Sequence, residues 1–255
     1  MARVSETAFD EFSLDAQFRY DADALEKRIA EVRPAVTILC LPNNPTGSEL
    51  EPDRVDRIAQ AAEAAGGILL VDEAYREFSG EAFDRGAIAR TRENVILVRT
   101  YSKAFSGAGL RIGYLLTSRP LGRELGKIVP PFHLSVFTAV AGSILWDERK
   151  HFMAQVARIV QERERLRGAL AQIGLEALPS AANFFLMRVP DGPAVFAALK
   201  KRGILVRTPG DDPALAGCLR VNVGTPEEDD RLVAALREIL APPQKTRKGG
   251  KAHGT

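Results

Sequence analysis

The chain has 255 residues, a formal net charge of +2, and 45% hydrophobic and 27% charged residues, the balance of a globular protein with one large domain or a medium one plus a small one. Near-neutral charge gives no reason to expect nucleic acid or an anionic membrane as partner, and no apolar run is long enough to span a bilayer. The two cysteines, Cys40 and Cys218, lack C-x-x-C spacing and the three histidines are scattered, which argues against a disulfide scaffold or a metal cluster and suits a reducing, cytoplasmic setting.

Residues 1–20 show no clear periodicity and read as loop with at most a short strand. Leu25, Ile29 and Val32 at helical spacing predict a helix over 21–32, capped by Asp21 or Asp23 and stopped by Pro34. A β-branched run predicts a buried strand over 36–41, ending in the turn Pro42-Asn43-Asn44-Pro45-Thr46-Gly47. Pro52 opens a helix running to about 65 with Val55, Ile58, Ala59 and Ala62 inside, and Gly66-Gly67 closes it. Strands follow over 68–71 and 95–98, with a polar stretch between them and a further apolar run over 112–116. Strands alternating with helices predict an α/β fold around a mostly parallel sheet with flanking helices.

Beyond a break at 119–122, helices are expected over 133–146 and 147–170, with the Glu162-Arg163-Glu164-Arg165 run as a solvated face. Strands over 183–189, 204–207 and 219–223, a helix over 194–202, and a helix from Thr225 to about 240 make a small α+β domain. Thr225, Pro226 and Glu228 form a capping signal for that last helix. The expected division is 1–145, 146–241 and a disordered Lys/Gly-rich tail over 242–255.

Ligands of parallel sheets bind beyond the carboxyl ends of the strands, and three polar motifs fall there. Lys103, after Thr100 and Ser102, is either a solvated loop charge or a nucleophile. Asp72 at a strand tip is a cap for the next segment or a counter-charge for a cation, and Tyr75 three residues on shares its face if that turn is helical. Asn44 is a turn residue or a donor to an oxygen. Arg111 is a surface ion-pair partner or, with Thr100 and Ser102, a holder of a dianionic phosphate. Lysine for a Schiff base, aspartate for a pyridinium nitrogen, tyrosine and asparagine for a phenolic oxygen, and hydroxyls with arginine for a phosphate together describe pyridoxal 5'-phosphate.

The chain resembles the fold-type I pyridoxal-phosphate aminotransferases, and among them the histidinol-phosphate aminotransferases. The resemblance rests on Pro42-Asn43-Asn44-Pro45-Thr46-Gly47, Val71-Asp72-Glu73-Ala74-Tyr75, Arg99-Thr100-Tyr101-Ser102-Lys103-Ala104-Phe105, Ala108-Gly109-Leu110-Arg111-Ile112-Gly113, Ala182-Asn183-Phe184, Gly203-Ile204-Leu205-Val206-Arg207 and Cys218-Leu219-Arg220-Val221-Asn222-Val223-Gly224-Thr225. It implies a cofactor-binding large domain and a small C-terminal domain. Lys103 would carry the cofactor covalently, Asp72 would pair with its ring nitrogen, and Asn44 and Tyr75 with its ring hydroxyl. Thr100, Ser102 and Arg111 would hold its phosphate. Arg220 would clamp a substrate α-carboxylate and Arg207 a substrate phosphate. The reaction implied is ping-pong transamination between an amino acid or amino-alcohol phosphate, histidinol phosphate first, and 2-oxoglutarate, with Lys103 as general base and then acid, in a cytoplasmic homodimer without a metal. A threonine-phosphate-type decarboxylase shares the scaffold, and an inactive remnant is the other alternative. Gly107, Gly109 and Gly113 do not have dinucleotide-binding spacing.

The resemblance also implies a longer N-terminal region in family members, which adds to the large domain, the phosphate site and the partner subunit's site. The chain is expected to lack it, and nothing in residues 1–20 replaces it: the stretch holds no glycine to let a backbone approach a phosphate. Apolar surface on the sheet is the expected consequence.

Overall fold

The computed structural model describes residues 8–210 and 212–241. Its main sheet runs β1 (Val36–Cys40), β2 (Ile68–Asp72), β3 (Val95–Thr100), β4 (Gly113–Thr117), in that spatial order. The first three strands are parallel; β4 lies antiparallel to β3, with Thr100 opposite Gly113. Parallel neighbours need crossovers, and α2 (Pro52–Ala64) and α3 (Gly86–Thr91) supply them. Helix α1 (Ala22–Val32) precedes β1; Asp21 caps it by accepting from the Ala24 N–H at 2.9 Å. At the end of α2, Gly66 has φ +78, and a Cβ on Gly67 would run into the Pro34 carbonyl, so the glycine pair is required to turn into β2.

Strand alternation sorts the side chains of this sheet. Leu39, Leu69, Val71, Val95 and Leu97 face α1–α3 and build a core with Leu25, Ile29, Val55, Ile58 and Ile88. The opposite face carries Val36, Ile38, Ile68, Leu70, Val98 and Leu115, with Asp72 and Thr100 at its strand-end margin. Among the described residues the helices packed on this sheet, α1–α3, all lie on the first face.

After α4 (Arg119–Gly126), α5 (Val136–Asp147) and α6 (Arg149–Ala171) comes a two-stranded antiparallel sheet of β5 (Phe184–Arg188) and β6 (Cys218–Asn222). Helices α7 (Gly192–Lys201) and α8 (Pro226–Leu240) pack on it with α6 around Leu166, Leu170, Phe185, Met187, Leu199, Leu219 and Leu236. The capping box of α8 is present: the Glu228 N–H donates to Thr225 Oγ1 and the Thr225 N–H to the Glu228 carboxylate. A third core joins the two halves, with Tyr75, Phe78 and Phe105 from one and Val156, Ala182 and Phe184 from the other.

Three local readings are corrected. Residues 119–122 do not break the chain but start α4, because the Ser118 hydroxyl caps it and Pro120 fits its first turn. No strand forms over 204–207; only Arg207 pairs, in one bridge with Arg220, since β6 has no further partner strand there. Residues 8–20 form no strand, in keeping with the loop expected there. The 162–165 run is not a solvated face: Glu162 and Arg163 are buried, and Arg163 donates to the carbonyls of Ala182 at 2.9 Å and Phe78 at 3.5 Å. The expected disordered tail lies outside the described residues. Among those residues no helix is long and apolar enough to cross a membrane.

Glu162 of α6 and Asp229 of α8 are both buried. Burial, then hydrogen bonding and repulsion from Glu162, pushes the Asp229 carboxyl up to about 7, against a partial offset from the Gly224 N–H. The folded state thus holds a proton that the unfolded chain releases from about pH 4, so stability falls as pH rises from there to about 7, and the penalty is complete above. Asp229→Asn keeps the oxygen that accepts from Gly224 N at 3.1 Å. It is expected to be more stable than the parent at pH 8 by on the order of 2 kcal/mol and to match it near pH 4. Thermal melts followed by circular dichroism at the two pH values check this.

Candidate active site

The predicted motifs sit side by side at one end of the main sheet because its parallel strands all release their loops there. The turn after β1 is tight: the Gly47 N–H donates to the Asn43 carbonyl at 2.7 Å, and Gly47 has φ +77. A Cβ on Gly47 would collide with Ser180, and the Ala181 N–H donates to the Gly47 carbonyl at 2.8 Å. The turn carrying Asn44 is thereby tied to the segment entering β5.

Asn44 Oδ1 accepts from Arg220 Nη1 at 2.8 Å, which leaves its amide N–H groups free to donate. The Arg220 guanidinium lies over the Phe184 ring, 4.8 Å from the centroid, and Phe184 meets Tyr75 edge-on at 4.9 Å. Lys103 Nζ stands 5.2 Å from the Tyr75 centroid. Asn44, Arg220, Tyr75 and Lys103 are therefore one contiguous cluster, joined through Phe184. Asp72 lies beside it at the end of β2, half-buried, and one of its oxygens accepts from the Ala74 N–H at 3.0 Å.

The Lys103 loop is braced rather than free. Thr100 Oγ1 accepts from the Ser102 N–H at 3.0 Å and donates to the Ile112 carbonyl at 3.2 Å, so its single proton is engaged in the protein. The Gly107 N–H closes the loop on the Tyr101 carbonyl at 2.8 Å. Arg111 has φ 54, a conformation costly for a side chain of this size, and donates from Nη1 to the Ala108 carbonyl at 3.0 Å. Arg207 is held against Arg220 by a reciprocal backbone pair, 2.7 and 3.0 Å. Burial first, and the Arg207 charge as well, lower the Arg220 pKa from its usual value, against Tyr75, and Arg220 Nε is buried without a partner.

Among the described residues Lys103, Arg111, Arg207 and Arg220 make no ion pair with a carboxylate, and Asp72 makes none with a cation. An amine, a carboxylate, a free hydroxyl on Ser102, and guanidiniums with unused N–H groups suit an aldehyde-bearing, phosphorylated aromatic cation and an anionic substrate. The orphaned Arg220 Nε is the observation on which that fit rests. The cluster is an open rim. A cavity of about 640 Å³ lies instead beside β4, lined by Tyr101, Ile112, Tyr114, Leu134 and Trp146 among others, and none of the nine predicted residues lines it.

Sequence reasoning missed what fixes this rim. Arg85 and Glu73 are fully buried, and Arg85 Nη1 meets Glu73 Oε1 at 3.1 Å. Arg85 also pairs with Glu49 and donates to the Leu50 carbonyl at 2.8 Å. The second Glu73 oxygen takes Arg99 Nε at 2.7 Å, and Arg99 reaches Asp84 at 3.1 Å. Burial pushes Glu49 up, against Arg85 and Ser79, which hold it down. The network links the segments that follow Asn44, contain Asp72 and precede Lys103. Its one sequence signal is Glu73, a second acid directly after the strand that ends in Asp72; nothing local marks Arg85.

The model of the family "Aminotransferase class I and II" matches residues 1–236, and the chain belongs to that family. Histidinol-phosphate aminotransferase of Methylibium petroleiphilum is 41% identical over 243 residues, which are 94% of this chain and 64% of that protein. The chain thus spans under two thirds of this relative's length, and roughly 135 residues of the relative have no counterpart here. The crystal structure of histidinol-phosphate aminotransferase from Sinorhizobium meliloti in complex with pyridoxal-5'-phosphate superposes with a TM-score of 0.79 at 31% identity, over 89% of this chain and 62% of that one. A decarboxylase from Sulfurospirillum multivorans superposes with a TM-score of 0.78 at 27% identity, over 90% and 69%.

Removing one member of a buried ionic network leaves the others uncompensated. Arg85→Met is expected to cost about 3–5 kcal/mol of unfolding free energy in urea titrations. The triple variant Arg85→Met, Glu73→Gln, Glu49→Gln is expected to recover much of that loss.

Proposed function

We propose that the chain is the substance of an aminotransferase site that binds pyridoxal 5'-phosphate and takes histidinol phosphate or a related amino-alcohol phosphate or amino acid as donor and 2-oxoglutarate as acceptor. The observation that carries this reading is the contiguous Lys103–Tyr75–Phe184–Arg220–Asn44 cluster, with Asp72 beside it, at the strand ends where the sequence motifs fall. The family match and the named relatives support it.

Bound cofactor supplies an electron sink for the pair left when the substrate Cα–H bond breaks. In this reading Lys103 holds the cofactor covalently at rest. Once displaced, its amine takes the Cα proton and delivers it to the cofactor C4'. Asp72 keeps the ring nitrogen protonated through its free oxygen. The Asn44 amide and the Tyr75 hydroxyl donate to the ring oxygen. Ser102 and Arg111 hold the phosphate, with Thr100 shaping their loop. Arg220 grips a carboxylate bidentately through its unused donors, and Arg207 adds the second positive charge that a substrate phosphate needs. The division of labour proposed is cofactor on 1–145 and much of the substrate grip on 146–241. A cytoplasmic homodimer is the assembly proposed once the sheet is covered on both faces. A phosphate-substrate decarboxylase is the second reading, favoured by the Sulfurospirillum multivorans neighbour, and carbon dioxide release instead of keto-acid formation identifies it.

Borohydride treatment of the chain with pyridoxal 5'-phosphate, followed by peptide mass analysis, is expected to place the cofactor on Lys103. Lys103→Ala is expected to lower transamination of histidinol phosphate by about 10²–10⁴-fold or more. Undiminished turnover, or labelling at another lysine, rejects the assignment. Arg220→Lys, which loses the bidentate fork, is expected to raise KM for 2-oxoglutarate by about 10-fold or more with a smaller change in kcat; steady-state kinetics at varied acceptor concentration measure it.

A further inference from the structure

We propose that Tyr20 is a positioning residue of this site: its hydroxyl ties the turn that carries Asn44 to the end of β1, opposite Asp72, and so sets the hydrogen bond that Asn44 gives to the cofactor's ring oxygen. The inference rests on the reading above, in which Asn44 and Asp72 hold two atoms of one ring.

Tyr20 directly precedes Asp21, the cap of α1, and its side chain is half-buried. Its O–H donates to the Cys40 carbonyl at 3.0 Å, and its oxygen accepts from Asn43 Nδ2 at 3.1 Å. Burial first, against the hydrogen bond from Asn43, pushes the phenol up to about 12. The proton given to Cys40 therefore stays in place at neutral pH. Cys40 is the register partner of Asp72, and the Leu41 N–H donates to the Asp72 carbonyl at 2.9 Å. The phenol thus reaches from the backbone beside Asp72 to the residue before Asn44.

Asn43 is the hub of the turn. Its N–H donates to the Ser48 carbonyl at 2.7 Å, its carbonyl accepts from the Gly47 N–H, and its Oδ1 accepts from the Thr46 hydroxyl at 2.9 Å. Those three bonds stay within residues 43–48 and fix the shape of the turn. The fourth, to Tyr20, leaves the turn and fixes its orientation on β1. Two bonds draw the turn the other way, toward the second half of the chain: Arg220 Nη1 on Asn44 Oδ1 and the Ala181 N–H on the Gly47 carbonyl, both 2.8 Å. Contacts with the Cys40 thiol are the other ties toward β1, and a thiol is a weak partner. Tyr20 is itself held on both sides, since Ser48 Oγ donates to the Phe18 carbonyl and Asp21 starts α1. A buried side-chain bond at this place supplies orientation that the internal bonds of the turn do not.

The readout is the pH at which the absorption of the cofactor held on Lys103 changes. A donor to a charged oxygen favours the form in which that oxygen shares no proton with the neighbouring nitrogen, so a weakened donor moves the midpoint to higher pH. Asn44→Ala is expected to raise the midpoint by about one unit. Tyr20→Phe, which keeps the ring in place, is expected to raise it by about half a unit and to weaken cofactor binding about 3-fold or more. Asn43→Ala cuts the same link from its other end and is expected to shift the midpoint at least as far as Tyr20→Phe. Combined with Asn44→Ala, Tyr20→Phe is expected to add nothing, because a residue that acts through Asn44 then has nothing to act on. Additive shifts, or midpoints in Tyr20→Phe or Asn43→Ala equal to the parent's, overturn this proposal and leave the reading of the site standing. A parent chain that takes up no cofactor on Lys103 overturns both.

Discussion

A guanidinium removed from water decides the geometry of this molecule. Arg85 is fully buried, and two carboxylates, Glu73 and Glu49, with the Leu50 carbonyl, replace its hydration. Such a group is costly alone and tolerable only when every partner is in place. Glu49 and Leu50 lie on the segment after β1 and Glu73 on the one after β2, and Glu73 passes the constraint to Arg99 near the end of β3. The strand ends therefore cannot drift apart without exposing a buried charge to an apolar interior. Apolar contacts alone would hold them together but would not fix their register so narrowly.

The sorting of charge over the molecule follows the same logic. Arg85, Arg92, Arg99 and Arg165 are all paired with carboxylates. Lys103, Arg111, Arg207 and Arg220 gather at the rim without such partners among the described residues. Two of them, Arg207 and Arg220, are locked next to each other by backbone hydrogen bonds despite their repulsion. In the proposed reading these four are the cations that meet the cofactor phosphate and the anionic groups of the substrate. Asp72 and Thr100 lie at the margin of the sheet face that carries the exposed Val36, Ile38 and Leu115.

Much of this was readable in the residues. Apolar runs bounded by turns gave β1, β2 and β3, and the Thr225–Glu228 pair gave the start of α8, because both signals are local. The carboxyl-end placement of Asn44, Asp72 and Lys103 followed from strand direction alone. Arg85 was invisible, since its partners are 12 and 36 residues away and only folding brings them close. Glu162 and Arg163 looked like a solvated stretch because their pattern is that of any charged helix; Glu162 is buried beside Asp229 of α8 and Arg163 against the Phe78 and Ala182 carbonyls, contacts that only folding makes. At 204–207 the apolar run was wrong about pairing except at Arg207, because pairing depends on a neighbouring strand being available. Thr100 was read as a phosphate ligand from its residue type, and its added service to the loop, through the Ser102 N–H and the Ile112 carbonyl, has no local signal.

Arg163 has a mechanical consequence. From one position on the long helix α6 it holds the Phe78 carbonyl of the first half and the Ala182 carbonyl at the entrance to β5. Arg220 on Asn44 and the Ala181 N–H on the Gly47 carbonyl moor the same two halves near the strand ends. Rocking of the small sheet against the large one therefore has to stretch polar contacts at more than one place at once.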